Sequence, residues 1–150
     1  MWKKMIPILV SALLCTILAT SVVGASKDAT SPNDPDNISF ETDKEQYTPN
    51  ETIFLSLKNN SPYAISFGMP YAIDVLKDSK WQRTSLTDDL MFTQQILTLS
   101  PKETYDTAVD LNIFKDKLSP GYYRIVKLVH IGEKPVEIGA EFEIVKETFK

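Results

Sequence analysis

Residues 118–125 read Leu-Ser-Pro-Gly-Tyr-Tyr-Arg-Ile, and this stretch indicates the fold more strongly than any other part of the chain. Pro120 and Gly121 form a turn, and a run of β-branched and aromatic residues follows them. Tyr123 comes two residues after the turn glycine, and Ile125 follows two residues later. This is the pattern of a tyrosine corner, in which the tyrosine hydroxyl bonds back to the backbone near the turn. We predict that Tyr123 makes this contact and that Ile125 lies in the core.

Lys127 lies further along the same predicted strand and interrupts its apolar pattern. If the side chains continue to alternate after Ile125, the Lys127 amine points into the core, where a charged group costs free energy. We therefore expect either a β-bulge near Lys127 or an exit of the strand end from the sheet.

Alternation with a period of two continues through most of the chain from Ile38 onward. Its clearest example has Ile53, Leu55 and Leu57 on one face of a strand, with polar or exposed positions between them. Residues 77–80, Lys-Asp-Ser-Lys, are predicted as a hairpin turn. The predicted strands are Ile38–Thr42, Ile53–Lys58, Tyr63–Phe67, Tyr71–Leu76, Trp81–Thr84, Gln95–Leu99, Tyr105–Leu111, Tyr122–Ile131 and Val136–Val145.

The remaining segments are predicted to form turns and loops rather than long helices. Tyr47–Glu51 is predicted as a turn, Leu90–Phe92 as a short strand or a loop, and Asp110–Lys117 as at most one helical turn. Eight or nine short strands separated by turn residues predict an all-β fold, an antiparallel sandwich or barrel. The lack of helices excludes a parallel sheet built from β-α-β units.

The N-terminus has the pattern of a secretory signal peptide. Lys3 and Lys4 precede an uncharged, apolar stretch that extends from Met5 to Ala25, and Val23-Gly24-Ala25 provides small residues at its end. We predict a signal peptide over residues 1–25, with cleavage after Ala25.

Two alternatives for this segment stay open. Its apolar run approaches the length of a transmembrane helix, so an uncleaved N-terminal anchor is one alternative. Cys15, the sole cysteine, follows Ala-Leu-Leu and resembles a lipidation site, although Leu14 stands where a small residue is required. In either case contact with a membrane would involve this leader alone.

Cleavage would leave 125 residues with a net charge of −6 and no cysteine. This length is sufficient for one domain held together by its core without disulfides, and we place that domain at residues 38–147. Residues 26–37 are polar with two prolines, which predicts a flexible linker. The acidic balance argues against a nucleic-acid partner. Export without cysteine is typical of a bacterial envelope or culture medium.

Candidate catalytic residues are few. His130 is the sole histidine, so a triad or a zinc site would depend on it alone. Glu141 and Glu143 share one face of a predicted strand, which we interpret as a solvated face rather than a cleft that separates two pKa values. Phosphate-loop, dinucleotide-binding and His-Glu-x-x-His motifs are absent. We predict that the protein is not an enzyme and has no catalytic, cofactor-binding or metal-binding residues.

Four features together carry a resemblance to a known family: Asn59 at the end of a core strand, the hairpin from Tyr71 to Trp81, the stretch Leu99–Glu103, and the turn and strand at 118–125. In this order they resemble bacterial Ig-like domains of exported Gram-positive proteins, over about Ile38 to Val145. They are also distantly similar to the intracellular proteinase inhibitor family, another Ig-like sandwich. The resemblance implies an antiparallel immunoglobulin-like β-sandwich.

Aromatic and methionine side chains in the middle of the chain are the candidate binding residues. Residues 69–71 and 90–92 lie near predicted loops, and together they would form an apolar patch for a protein or glycan partner if they were exposed. The alternative, which we favour, is that they close one end of the sandwich. The whole set is Tyr63, Phe67, Met69, Tyr71, Trp81, Met91 and Phe92.

The sequence thus predicts a non-enzymatic Ig-like interaction module, secreted or associated with the cell envelope, whose protein or cell-wall partner is unknown. One alternative is a proteinase inhibitor that inserts a projecting loop, with Ser85–Thr93 as the candidate. Another is a structural or assembly subunit, whose mark would be an unpaired edge strand that accepts another chain.

Overall fold

The structure is a computed structural model that describes residues 38–148. The predicted signal peptide at 1–25 and the predicted linker at 26–37 lie outside the described residues.

Ten strands and one short 3₁₀ helix make up the described part of the chain. The helix spans Leu111–Lys117, and Asp110 caps it by accepting a hydrogen bond from the Asn112 backbone N–H. The strands are β1 (Ile38–Thr42), β2 (Gln46–Tyr47), β3 (Thr52–Asn59), β4 (Ile65–Gly68), β5 (Ala72–Lys77), β6 (Lys80–Arg83), β7 (Ile96–Leu99), β8 (Thr104–Asp110), β9 (Gly121–Ile131) and β10 (Lys134–Ile144).

The strands form two sheets that pack face to face. The smaller sheet has the antiparallel order β1-β3-β8. In the larger sheet β10 lies between β2 and β9, and β4 and β5 pair with different ends of the other side of β9. Beyond them, β7 pairs with β4 and β6 with β5. The predicted all-β, antiparallel immunoglobulin-like sandwich is confirmed, with one parallel pair between β2 and β10.

The core lies between the sheets and follows the predicted alternation. Ile53, Leu55 and Leu57 are buried, whereas Phe54 and Lys58 of the same strand are exposed. The hairpin predicted at residues 77–80 is also present, because β5 and β6 pair across it and both central residues have positive φ angles. Two positive φ angles match the right-handed twist of the paired strands.

Tyr123 makes the predicted corner. Its hydroxyl donates to the Ser119 carbonyl oxygen at 2.9 Å, and Ile125 is fully buried. The Tyr123 ring stacks on Phe142, which in turn meets Tyr47 edge to face. The corner therefore ties the turn before β9 to the apolar layer between the sheets.

Asn59 ends β3 inside the molecule with no exposed surface. Its side-chain amide donates to the carbonyl oxygens of Tyr63 at 2.7 Å and Leu99 at 3.1 Å. Its Oδ1 accepts from the backbone and hydroxyl of Ser61. One side chain thus joins the ends of β3 and β7 with the turn between β3 and β4.

The prediction at Lys127 is wrong in both of its forms, the bulge and the exit of the strand end from the sheet. The register between β9 and β10 runs without interruption, and Lys127 points inward with 6% of its surface exposed. The interruption lies instead on the neighbouring side of the same sheet, where β4 ends at Gly68 and β5 begins at Ala72. The carbonyl oxygens of Met69 and Pro70 in this gap each accept from the Lys127 amine at 3.3 Å.

Two other local predictions need correction, and a third is resolved. Part of the predicted turn at 47–51 belongs to β2, whose parallel pairing with β10 is a non-local contact with no local signal. Leu90–Phe92 lies in a loop, which is one of the two alternatives predicted for it. The segment after β8 forms a seven-residue 3₁₀ helix, longer than the single turn we expected.

Candidate interaction surface

A long loop, residues 84–95, connects β6 to β7 and is held on the sandwich at its start. The backbone N–H and the hydroxyl of Thr84 both donate to the Ile73 carbonyl oxygen, at 3.0 Å and 2.6 Å. Two further backbone hydrogen bonds close successive turns between residues 85 and 90. We call this segment the β6–β7 loop.

Apolar side chains anchor the loop on both sides of Met91. Leu86 is buried in the core, and Leu90 packs against the core. The Phe92 ring meets the Tyr71 ring edge to face, with centroids 5.2 Å apart. Met91, between these anchors, is 98% exposed. We call Tyr71, Met91 and Phe92 the Met91 surface.

Lys127 supports the segment that leads into the Met91 surface. Its amine binds the Met69 and Pro70 carbonyl oxygens and lies 5.3 Å from the centre of the Phe67 ring. Burial lowers the pKa of this amine to about 8, because the charged form loses its hydration. The amine therefore satisfies two carbonyl groups in the gap between β4 and β5, immediately before Tyr71.

β7 forms one edge of the larger sheet next to this loop. It pairs with β4, and within residues 38–148 no strand pairs with its other side. Ile96 is 74% exposed on the outer face, while Leu97 and Leu99 face inward. An uncharged edge strand therefore begins four residues after Phe92 of the Met91 surface.

Where β5 and β6 lie beside β9, the same sheet carries a polar cluster whose charged side chains are paired. Asp74, 3% exposed, accepts from Arg83 at 2.6 Å and from Arg124 at 2.9 Å. The Arg124 guanidinium also lies 4.8 Å from the centre of the Trp81 ring. These charges bind one another, so we interpret this cluster as structural.

Comparison with known families identifies the chain. Residues 34–143 match the family described as bacterial Ig-like domain. The chain belongs to the bacterial Ig-like domain family. Among curated proteins no match was found.

Solved structures resemble this Ig-like domain at low identity. The periplasmic chaperone SfaE is 7% identical with a TM-score of 0.45, covering 76% of this chain and 60% of the chaperone. The sporulation control protein Spo0M from Bacillus subtilis is 13% identical with a TM-score of 0.40, covering 75% of this chain and 49% of that one. A PapD-like domain of human CEP192 is 10% identical with a TM-score of 0.33, covering 77% and 91%.

The structure separates the candidate binding residues that the sequence grouped. Phe67 is buried, Tyr63 is exposed, and Trp81 lies on the outer face against Arg124. Tyr71 and Phe92 meet each other and close part of the sandwich, as the favoured alternative expected, but Met91 projects into solvent. The anchoring role of Leu86 was missed, since one apolar residue in a polar loop gives no periodic signal.

The residues considered for catalysis lie apart from the Met91 surface. His130 is half-buried on β9, in register with Ser66 on one side and Pro135 on the other. Glu143 accepts a hydrogen bond from Gln46 at 2.7 Å, and Glu141 is in register with Arg124. Within the part of the Ig-like domain that the structure describes, no group of three His, Cys, Asp or Glu residues could hold a metal ion. The same residues include no helix long and apolar enough to cross a membrane.

An acidic groove of about 390 Å³ lies on the outer face of the smaller sheet. It contains Asp43, Asp106 and the exposed Phe54. Asp43 accepts from the Tyr47 hydroxyl at 2.6 Å, and this hydrogen bond lowers the pKa of Asp43. Burial, together with the same hydrogen bond, raises the pKa of Tyr47 to about 12. Asp106 accepts from Ser56, so both carboxylates already have partners in this Ig-like domain.

Proposed function

We propose that this Ig-like domain is an exported, non-enzymatic interaction module of a bacterial cell envelope or medium, and that it binds a protein partner through the Met91 surface. The observation that carries the proposal is the full exposure of Met91 on a loop anchored to the core. Membership of the bacterial Ig-like family and the secretory pattern of residues 1–25 support export.

The physical basis is the free energy available from burying Met91. Moving a methionine side chain out of water contributes about 1.5–3 kcal/mol. Because Leu90 and Phe92 already hold the loop in place, binding would require little further loss of backbone entropy. Methionine and aromatic residues are also enriched in protein interfaces, where the flexible thioether adapts to its surroundings.

The test is affinity capture with the protein in the form that its source produces. Wild type, Met91→Glu and a control, Ile113→Glu, are incubated with intact cells and medium, and the bound proteins are cross-linked and identified. Ile113 is the matched control because it is an exposed apolar residue on the 3₁₀ helix, away from the β6–β7 loop. A partner bound by wild type and Ile113→Glu but lost with Met91→Glu supports the proposal. Equal capture by Met91→Glu, or no enriched protein, contradicts it.

Export has its own test. Intact mass measurement of the protein from medium or envelope should give a chain that begins at Ser26. A mass that includes residues 1–25 would favour the anchor, and a lipid-modified chain beginning at Cys15 would favour the lipoprotein.

A proteinase inhibitor is the second candidate, favoured by the same loop geometry. An inhibitory loop has to present one side chain to the enzyme while the flanking residues are held in place, and Met91 lies between two anchored neighbours. We expect such an inhibitor to titrate an extracellular serine protease one to one, and Met91→Lys to shift inhibition towards trypsin-like enzymes. A panel of extracellular serine proteases that all keep full activity would rule out this candidate.

A further inference from the structure

The edge strands of the two sheets differ in charge. β8 carries Asp106 and Asp110, β6 carries Lys80 and Arg83, and β1 carries Glu41. Charged side chains on an edge oppose pairing with another strand. Of the described edge strands with four or more residues, β7 alone has no charged residue.

The uncharged stretch is longer than β7 itself. Residues 93–100 read Thr-Gln-Gln-Ile-Leu-Thr-Leu-Ser, without a charge, a proline or a glycine. Ile96 and Thr98 are exposed on the outer face, and Leu97 is only half-buried on the inner face. Such a segment on an open edge favours addition of a strand.

We propose that β7 pairs in an antiparallel arrangement with β7 of a second copy of this chain, so that the larger sheets of two copies become one continuous sheet. The two-fold axis would pass beside Leu97. Leu97 then opposes Leu97 of the second copy, and Ile96 opposes Thr98. The contact is isologous, so it closes at the dimer and does not propagate.

The alternation of side chains selects this register. Directly opposed residues of an antiparallel pair lie on the same face of the sheet. With the two-fold axis beside Leu97, each inward-facing residue lies opposite an inward-facing residue of the second copy, and each outward-facing residue lies opposite an outward-facing one. A shift by one residue would place Ile96, which faces outward, opposite the inward-facing Leu99.

Charge complementarity argues for a second copy as the occupant. Between residues 94 and 100 no charged side chains would oppose each other, although the whole chain has a net charge of −4. Antiparallel pairing also brings the turn after β7, with the exposed Lys102, towards the β6–β7 loop of the other copy, which carries Asp88 and Asp89. The Glu103 carboxylate in the same turn is engaged by the Ser100 backbone N–H at 2.7 Å.

The test is sedimentation equilibrium of the protein in the form that its source produces, with Thr98→Lys and a matched control, Thr104→Lys. Both threonines are exposed on edge strands, but Thr104 lies on β8. We expect concentration-dependent dimers for wild type and Thr104→Lys, and a dissociation constant at least ~10-fold higher for Thr98→Lys, a loss of about 1.4 kcal/mol. Circular dichroism melting of each variant checks that it is folded.

Two results would overturn the proposal. One is a wild-type protein that stays monomeric up to about 1 mM, where an association worth ~4 kcal/mol would be visible. The other is a folded Thr98→Lys variant that dimerises as strongly as wild type. Because Met91 is outside the paired segment at residues 94–100, Met91→Glu removes none of the proposed strand contacts and should still dimerise, so failure of this proposal and failure of the proposed partner binding are distinguishable.

The register has a separate test by disulfide formation. In the proposed dimer Leu97 opposes its own copy at a Cα separation of about 4.5–5.5 Å, which suits a disulfide. On a Cys15→Ser background, Leu97→Cys should oxidise to a covalent dimer faster than Ile96→Cys, whose cysteine would oppose Thr98 of the second copy. Faster cross-linking of Ile96→Cys would refute this register.

Discussion

The Lys127 amine lies 3.3 Å from the Pro70 carbonyl oxygen, in the gap between β4 and β5, the two strands that pair with the same side of β9. β9 stays regular because it pairs with β10 along its whole length. Its inward lysine is accommodated because the gap between β4 and β5 presents the carbonyl groups of Met69 and Pro70 to the amine. The same break separates β4 from β5 and positions Tyr71 under the β6–β7 loop.

This burial predicts a stability that rises with pH. The pKa of Lys127 is about 8 in the folded protein, against the ordinary lysine value of 10.5. Between these values the unfolded chain binds the proton more strongly than the folded one, so the free energy of unfolding increases from pH 8 towards pH 10.5, by at most ~1.4 kcal/mol per pH unit. Below pH 8 the amine is protonated in both states, so the gain in the free energy of unfolding is absent there.

Urea unfolding at intervals from pH 7 to pH 10 measures this effect, with Lys127→Met as the comparison. The variant keeps the apolar stem and removes the titrating amine, so the difference between the two curves should change across that interval. The range ends at pH 10 because Tyr47, whose pKa is raised to about 12, adds its own pH dependence above it. Parallel curves for the two proteins would show that the amine is not buried as described.

Removing the Tyr123 hydroxyl should weaken the fold without disturbing its packing. Tyr123→Phe loses the hydrogen bond to the Ser119 carbonyl oxygen but keeps the ring contact with Phe142. We expect a loss of about 1 kcal/mol in the free energy of unfolding, measured by denaturant titration. Tyr63→Phe, at an exposed position, is the control and should change stability little. A Tyr123→Phe variant as stable as the control would contradict the role of the corner.

Asn59→Ala should cost more, because several buried groups lose their partners at once. The Leu99 carbonyl oxygen and the Ser61 backbone N–H would lose the partner that this side chain provides, while the Ser61 hydroxyl and the Tyr63 carbonyl oxygen would keep only their bond to each other. Each unsatisfied buried polar group costs roughly 1–3 kcal/mol, so we expect a loss of about 3 kcal/mol or more. Thermal and denaturant unfolding of Asn59→Ala and the neighbouring control Asn60→Ala measure it. A loss no larger than that of the control would exclude a structural network at Asn59.

Asp74→Asn should destabilise the fold much more than loss of an exposed ion pair does. Asp74 binds two arginines, and its loss removes the carboxylate that lies 2.8 Å from the guanidinium of the largely buried Arg124. Breaking a buried pair costs about 3–5 kcal/mol, and partial exposure of Arg83 places the expected loss near the lower end. Glu137→Gln removes an exposed partner of the same Arg83 and should cost under ~1 kcal/mol. Similar losses for both variants, in unfolding titrations at low salt, would argue against this assignment.

Local patterns were sufficient to predict several parts of the fold. The turn at 118–121 and Tyr123 form a corner through contacts four residues apart. The hairpin at residues 77–80 depends on two turn residues. The inward face of β3 depends on a period of two. In each case the interacting groups are neighbours along the chain, so the sequence itself contains the signal.

Other features could not be predicted because their partners are distant in the chain. β2 exists through pairing with residues almost a hundred positions away. The Asp74 carboxylate can be buried because Arg124, which lies on a different strand, places a positive charge beside it. For the candidate surface, the sequence could show that Met91 lies between two apolar residues, but not that Tyr71 holds Phe92 and leaves Met91 outside.

The sequence alone therefore established the class of fold, the sandwich of short antiparallel strands, because turn residues and period-two alternation act over a few residues. The tertiary structure decided which strand breaks opposite Lys127, which side chains of the β6–β7 loop face inward, and which edge lacks charge protection. These depend on how two sheets meet, and in a β-sandwich most stabilising contacts join residues far apart in the chain.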